Sequence, residues 1–243
     1  MSSRSIYRRT VDPGNLVTFT VVSGQTDLLV RASRDVHREA LDSVARHRHT
    51  VQSYLHAHPR FATSLQPVEV RDDAPDIVQT MADAGRNAGI GPMSAVAGAI
   101  AEAVGRDLLE HCAEVIVENG GDLFISTTAA RTVALYAGSS PLSGRVGISV
   151  GPDQTVGVCT SSGAFGHSLS LGRAHACVVT ALSTALADAV ATSMCNRIRT
   201  MDDLSATVEM ATGIKNVTGA VAVLREHMAV QGDITLVRIA SIP

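Results

Sequence analysis

Ala-His-Ala-Cys-Val-Val-Thr-Ala-Leu-Ser-Thr-Ala-Leu-Ala-Asp-Ala-Val-Ala-Thr-Ser-Met-Cys-Asn, residues Ala174 to Asn196, is the stretch whose reading decides the fold. Its length and apolar character invite a membrane span, but His175, Asp188 and its several Thr and Ser residues point instead to a long helix buried in a soluble core. Thr184, Asp188 and Thr192 recur at i, i+4 and i+8 and therefore stack on one helical face. A carboxylate with hydroxyl oxygens on one face suits a hard cation such as Mg²⁺, which takes oxygen ligands. The alternative from spacing alone is that Asp188 caps the amides of a neighbouring loop; either way, burying this acid costs several kcal/mol unless it is paired.

Outward from that segment, strands and helices come in uneven groups. Leu16 to Val22 and Thr26 to Ala32 are β-rich runs around Ser23-Gly24-Gln25, an opening hairpin. Helical periodicity starts after Ser33, and Asp76 to Ala88 forms a short helix ended by Gly89-Ile90-Gly91-Pro92. A helix from about Ser94 to His111 carries small residues that permit close approach of a backbone or a ligand, and its glycine-flanked start is a natural seat for phosphate. Val115 to Val117 and Leu123 to Ser126 are extended on either side of Glu118-Asn119-Gly120-Gly121-Asp122, a turn in which the glycines supply positive φ. Further strands are expected at Ala130 to Gly138, Arg145 to Val150 and Thr155 to Thr160. A helix follows near Leu204 to Ala211, with closing strands at Ala220 to Leu224 and Ile234 to Ile239. This pattern predicts an α+β fold with a mostly antiparallel sheet, one domain over residues 1–243. The closing strands could pair two copies into a homodimer.

Composition narrows the function classes. The chain has 243 residues, is 45% hydrophobic and 18% charged, and has a net charge of −3. That excludes wholesale disorder and leaves no basic excess to bind nucleic acid. The polar, arginine-rich start lacks the apolar run of a secretory signal, so a cytoplasmic protein without a membrane partner is expected. Cys112, Cys159, Cys177 and Cys195 fit no zinc spacing and read as reduced, buried thiols. Gly166-His167-Ser168-Leu169-Ser170 approaches a nucleophile elbow, but Ser170 replaces its closing glycine.

Four segments, in order, resemble the ApbE superfamily, whose best-known members are Mg²⁺-dependent FAD:protein FMN transferases. Gly98-Ala99-Ile100-Ala101 resembles its Gly-Ala-Ile-Ala-Lys-Gly helix. Asn119-Gly120-Gly121-Asp122 resembles its Asn-x-Gly-Gly-Asp turn with one residue missing. Thr160-Ser161-Ser162-Gly163 resembles its Thr-Ser-Gly loop, and Ala187-Asp188-Ala189-Val190-Ala191-Thr192 its Ala-Asp-Ala-x-Ala-Thr helix, the most specific of the four. The chain is similar to a shorter branch of that superfamily. The resemblance implies two intertwined α+β halves around a cleft for a small-molecule nucleotide. In it Asp188 and Thr192, with a backbone carbonyl at Ala101, would hold Mg²⁺, and Asp188 and His167 would be catalytic. Gly98, Ala99, Asn119, Gly120, Gly121, Asp122, Thr160, Ser161, Ser162 and Gly163 would line the FAD site. The reaction implied is transfer of FMN from FAD to a threonine of an acceptor protein, or hydrolysis of FAD to FMN and AMP. A non-catalytic binding protein, or an enzyme for an unrelated small metabolite using Cys159 or His167, is the alternative. Two departures bear on the transfer of activity. Glu102 stands where the family carries Lys, inverting the charge offered to a phosphate. His167-Ser168-Leu169-Ser170-Leu171-Gly172 keeps a His but not the family's Asp-Pro turn.

Overall fold

A computed structural model describes residue 11 and residues 14–163 and 172–239 of the chain. The first hairpin pairs β1 (Val17–Ser23) with β2 (Thr26–Ala32). Helices α1 (His37–Ala57), α2 (Pro59–Thr63) and α3 (Asp76–Ala88) follow, and α3 ends as expected, on a left-handed glycine, Gly89, with φ 69°. A 3-10 turn, Pro92–Ala95, leads into α4 (Val96–Leu108). Five strands come next: β3 (Val115–Asn119), β4 (Asp122–Thr127), β5 (Arg131–Ala134), β6 (Val146–Val150) and β7 (Gln154–Ser161). The remainder is β8 (Ala176–Ala181), α5 (Thr184–Arg197), α6 (Asp203–Thr212), β9 (Val217–Leu224), β10 (His227–Gly232) and β11 (Thr235–Arg238).

Eight strands form one antiparallel sheet in the order β1-β2-β3-β4-β7-β8-β9-β10, and β11-β6-β5 form a second of three. The large sheet repeats one plan: hairpin β1-β2, helices, hairpin β3-β4, then hairpin β7-β8, helices, hairpin β9-β10. The two α+β halves therefore share a continuous sheet and meet where β4 pairs with β7. The fold is α+β with a mostly antiparallel sheet, as the segment pattern predicts.

Period-two alternation distributes the central strands between two cores. Val115, Val117, Phe124, Cys159, Cys177, Val179, Ala220 and Ala222 face the helices. Ile116, Leu123, Ile125, Val158, Val178, Val221 and Val223 face the small sheet, with Val133, Ile148 and Val150 from its strands. Each fully buried Val or Ile contributes roughly 1.5–3 kcal/mol, so both faces stabilise the central strands.

This double burial explains a correction. Ala174 to Asn196 is not one helix: its first third is β8, and α5 begins only at Thr184. A strand covered on both faces reads as an unbroken apolar run, which periodicity cannot separate from a buried helix. The β-branched Val178, Val179 and Thr180 mark the strand. The expected pairing of Ala220 to Leu224 across a two-fold is also excluded, because β9 is flanked by β8 and β10 and has no free edge. Among the described residues no single helix is long and apolar enough to cross a membrane. The four cysteines are free and buried.

Candidate functional site

Two antiparallel-running helices, α4 and α5, cross at Gly98. A Cβ there would run into the Thr184 carbonyl oxygen and lie 2.8 Å from the Asp188 Cβ, so only glycine admits this approach. The small residues of α4 thus serve a neighbouring backbone. At the crossing each helix caps the other. The Gly98 amide donates to Asp188 Oδ2 at 2.9 Å, and the Ala97 amide adds a second bond. In return, Glu102 Oε2 accepts from the Ser183 hydroxyl at 2.8 Å, the Thr184 amide at 2.7 Å and the Ala185 amide at 3.4 Å. Both helices start without a protein residue of their own able to satisfy all their first amides, and a carboxylate near a helix N-terminus also meets the positive end of its dipole.

The β3–β4 turn brings a second acid to this crossing. Gly120 and Gly121 take φ values of 68° and 114°, closing a two-residue hairpin in which Asn119 pairs with Asp122. The Asn119 amide Nδ2 donates to the Ala97 carbonyl at 3.0 Å, tying the turn to the first turn of α4. Cross-strand from Asp122 is Cys159, whose thiol hydrogen-bonds the Asp122 carboxylate and also lies 3.3 Å from the Thr184 carbonyl oxygen.

The electrostatics of this pair are unbalanced. Burial pushes the Asp188 carboxyl up to about 7 against the pull of the Gly98 and Ala97 amides. Asp122 is raised well above the ordinary carboxylate range by burial, by the charge of Asp188 and by Glu118 behind it; the Cys159 thiol and the Thr160 amide only partly offset this. Among the described residues, no Arg or Lys figures in the causes that shift either group. The Cys159 thiol is itself pushed well up by burial and by both acids, so it is held as a thiol and not as a reactive thiolate. Nearby, the buried hydroxyls of Ser161 and Thr184 have no hydrogen-bond partner among the described residues. Ser161 shares the helix-facing side of β7 with Cys159. Such an arrangement can accept a proton or an oxygen-seeking cation. Among the described residues no group of three His, Cys, Asp or Glu side chains is arranged to hold a metal ion.

The residues expected from sequence do not all meet here. Asp188, Asp122, Asn119, Gly121 and Gly98 come together as described; Ser161 lies two residues beyond Cys159 on the same face of β7, and Thr192 lies half-buried on the same face of α5 as Asp188. Ala99 does not reach the site, because its side chain packs in the core between helices and sheet. Ala101 is fully buried one turn below Gly98, where a regular helix commits its carbonyl to the amide four residues on. The side chain of Thr160 alternates to the opposite face of the sheet with Val158, leaving only its amide near Asp122. Gly120 is exposed at the turn, Ser162 is buried, and the Gly163 amide donates to the Ala174 carbonyl at 2.9 Å. His167 lies outside the described residues. The α4 start, read as a phosphate seat, has its Ala97 and Gly98 amides occupied by Asp188. Glu102 does not face a ligand; it faces α5. Sequence reasoning missed the pairing of Asp122 with Asp188 and the cap made by Glu102. A buried-looking acid at i+4 from the crossing glycine was the available signal for the second.

Residues 8–231 match the model of a family described as AbpE bacteria. A UPF0280 protein of Methanococcus aeolicus is 42% identical over 201 residues, covering 80% of this chain and 81% of that protein. A second UPF0280 protein, from Methanocaldococcus jannaschii, is 37% identical over 221 residues, 88% of this chain and 90% of its own. The crystal structure of Pseudomonas stutzeri flavinyl transferase ApbE in its apo form aligns with a TM-score of 0.58 at 13% identity, over 90% of this chain and 94% of that one. At that identity the likeness shows the fold, which is ApbE-like, in a branch with the UPF0280 proteins.

Proposed function

We propose that this chain, which belongs to the AbpE bacteria family, binds a flavin nucleotide through a divalent cation seated on the Asp122–Asp188 pair. What carries the reading is that pair: two buried carboxylates, Asp188 raised by burial and Asp122 by burial and by the charge of Asp188, with no Arg or Lys among the described residues offsetting either. Two buried acids close enough for one to raise the other are costly, and a cation is the simplest partner that removes the cost. The donor set is all oxygen: two carboxylates, the free Ser161 hydroxyl and the Thr192 hydroxyl one turn beyond Asp188. That set fits Mg²⁺, which when bound would offset the charge of the two acids and polarise a diphosphate oxygen.

The chain's own residues then have separable tasks. Asp188 and Asp122 hold the cation, and Thr192 and Ser161 complete its oxygen shell. Asn119 keeps the β3–β4 turn against α4, and the first-turn amides of α4 steady Asp188. The fold shared with a flavinyl transferase supports the choice of a flavin nucleotide. Under this reading the reaction is transfer of FMN from FAD to an acceptor protein's threonine, or hydrolysis to FMN and AMP. Glu102 no longer argues for a non-catalytic protein, because it caps α5 and offers no charge to a phosphate.

The test is calorimetric titration of FAD with and without Mg²⁺, followed by assay for AMP and FMN. Mg²⁺-dependent binding with product release supports the enzyme, and binding without products leaves a flavin-binding protein. Absence of binding under both conditions removes the proposal.

A further inference from the structure

We infer that Glu102 is a positioning residue: it sets the crossing of α4 and α5 and thereby holds Asp188 against Asp122. The inference rests on the reading of that acid pair as a cation seat.

The geometry is a two-point lock. Gly98 and Glu102 stand four residues apart on α4, and Thr184 and Asp188 four apart on α5. Gly98 meets Asp188 and Glu102 meets Thr184, so one helical turn of each chain segment is pinned at both ends. Three donors of α5 converge on the single oxygen Oε2 of Glu102: the Ser183 hydroxyl and the amides of Thr184 and Ala185. Convergence of that kind fixes the rotation of a helix end as well as its place. The other oxygen, Oε1, is held by Arg106 through Nε at 3.0 Å and Nη2 at 2.7 Å, which locks the Glu102 rotamer from its own helix.

Capping alone does not need this residue. Ser183 already stands at the N-cap of α5 and accepts from the Leu186 amide at 3.4 Å. A local cap stabilises α5 but says nothing about where α5 lies relative to α4. A carboxylate reaching across from α4, itself only 8% exposed, does supply that relation. The crossing has no slack to absorb an error, since even a methyl group at Gly98 would collide with Thr184. A shift of α5 would therefore appear directly as a displacement of Asp188.

Mg²⁺ affinity at pH 8, measured calorimetrically on folded protein, separates positioning from stability. Glu102→Ala is expected to weaken Mg²⁺ binding at least tenfold, while Glu102→Gln, which keeps an acceptor oxygen, stays within about threefold of wild type. Asp203→Ala serves as the stability control: it removes the carboxylate that accepts the Arg199 and Thr200 amides ahead of α6, far from the crossing, and should leave the affinity unchanged. Wild-type affinity in Glu102→Ala, or an equal loss in Asp203→Ala, overturns the inference. If wild-type protein binds no Mg²⁺, the cation reading fails on its own, and the lock is read from amide exchange. Glu102→Ala should then speed exchange at Ala97 and Gly98 at least tenfold relative to Val104 further along α4. Equal protection at the three amides overturns the inference by that route.

Discussion

Glu114 and Asp188 expose similar fractions of their surface, 6% and 9%, but Asp188 lies the deeper of the two, and their surroundings treat them in opposite ways. Around Glu114, burial pushes the carboxyl up, but hydrogen bonds from Arg131, Thr127 and Thr128 outweigh it and hold the group below the ordinary carboxylate range. Arg131 engages Oε1 through both Nε and Nη2, and Thr128 binds Oε2 at 2.9 Å, so the acid is fully paired. Around Asp188, burial is opposed by two amides, and its charge raises a neighbouring acid, Asp122. The first site joins the residue just before β3 to β5 and is paired within the protein; the second has no Arg or Lys partner among the described residues. The difference teaches where to look for a ligand: a buried acid with its cation on the protein is architecture, and a buried acid whose described neighbours include no cation is a candidate functional group.

That contrast can be broken most forcefully at the paired site. Arg131→Met strands Glu114 in the core and should cost about 3–5 kcal/mol in urea unfolding. The unpaired site should respond with the opposite sign. Asp188 sits at about 7 when folded against 3.8 ordinarily, so between those pH values the folded state keeps a proton that the unfolded chain has shed. Its stabilising effect is present below pH 4 and lost as pH rises through 7, so metal-free protein should weaken across that window by up to roughly 4 kcal/mol. Asp188→Asn, which keeps an acceptor for the Gly98 amide, should flatten that slope in melts from pH 4 to 8; an unchanged slope would assign it elsewhere.

Two smaller effects sharpen the comparison. At pH 8, Mg²⁺ at a hundred times its Kd should stabilise wild-type protein by about 2.7 kcal/mol and leave Asp188→Asn untouched, as read by calorimetric melting. Gly98→Ala should cost about 1–3 kcal/mol through overpacking against Thr184, and should reduce the Mg²⁺ effect as α4 and α5 separate. Equal sensitivity of the Glu114 site to Mg²⁺ would erase the distinction between the two.

Much of this was legible locally. The Asn119-Gly120-Gly121-Asp122 turn follows from positive-φ glycines, α3 ends on Gly89 where its pattern stops, and α4 carries the small residues its crossing requires. The reading lost accuracy where burial removed periodicity: β8 merged with α5 because both of its faces are covered. It also missed β10, whose half-exposed residues alternate weakly. Glu102 was misjudged for another reason. Its charge is plain in sequence, but a side chain's partner is not, and the amides it caps lie more than 80 residues further along.

The chain by itself determined the β1–β2 and β3–β4 hairpins, the helix boundary at Gly89, and the presence of an acid in an apolar helix. Those are matters of φ, period and nearest neighbours, which a linear order of side chains encodes. Which acids would face one another was decided only in three dimensions. Strand register sets Asp122 opposite Cys159, the bare backbone of Gly98 lets α5 descend onto α4, and Glu102 fixes its end. Electrostatic energy depends on distance and on water excluded between charges, and neither exists until the sheet and its helices have closed together.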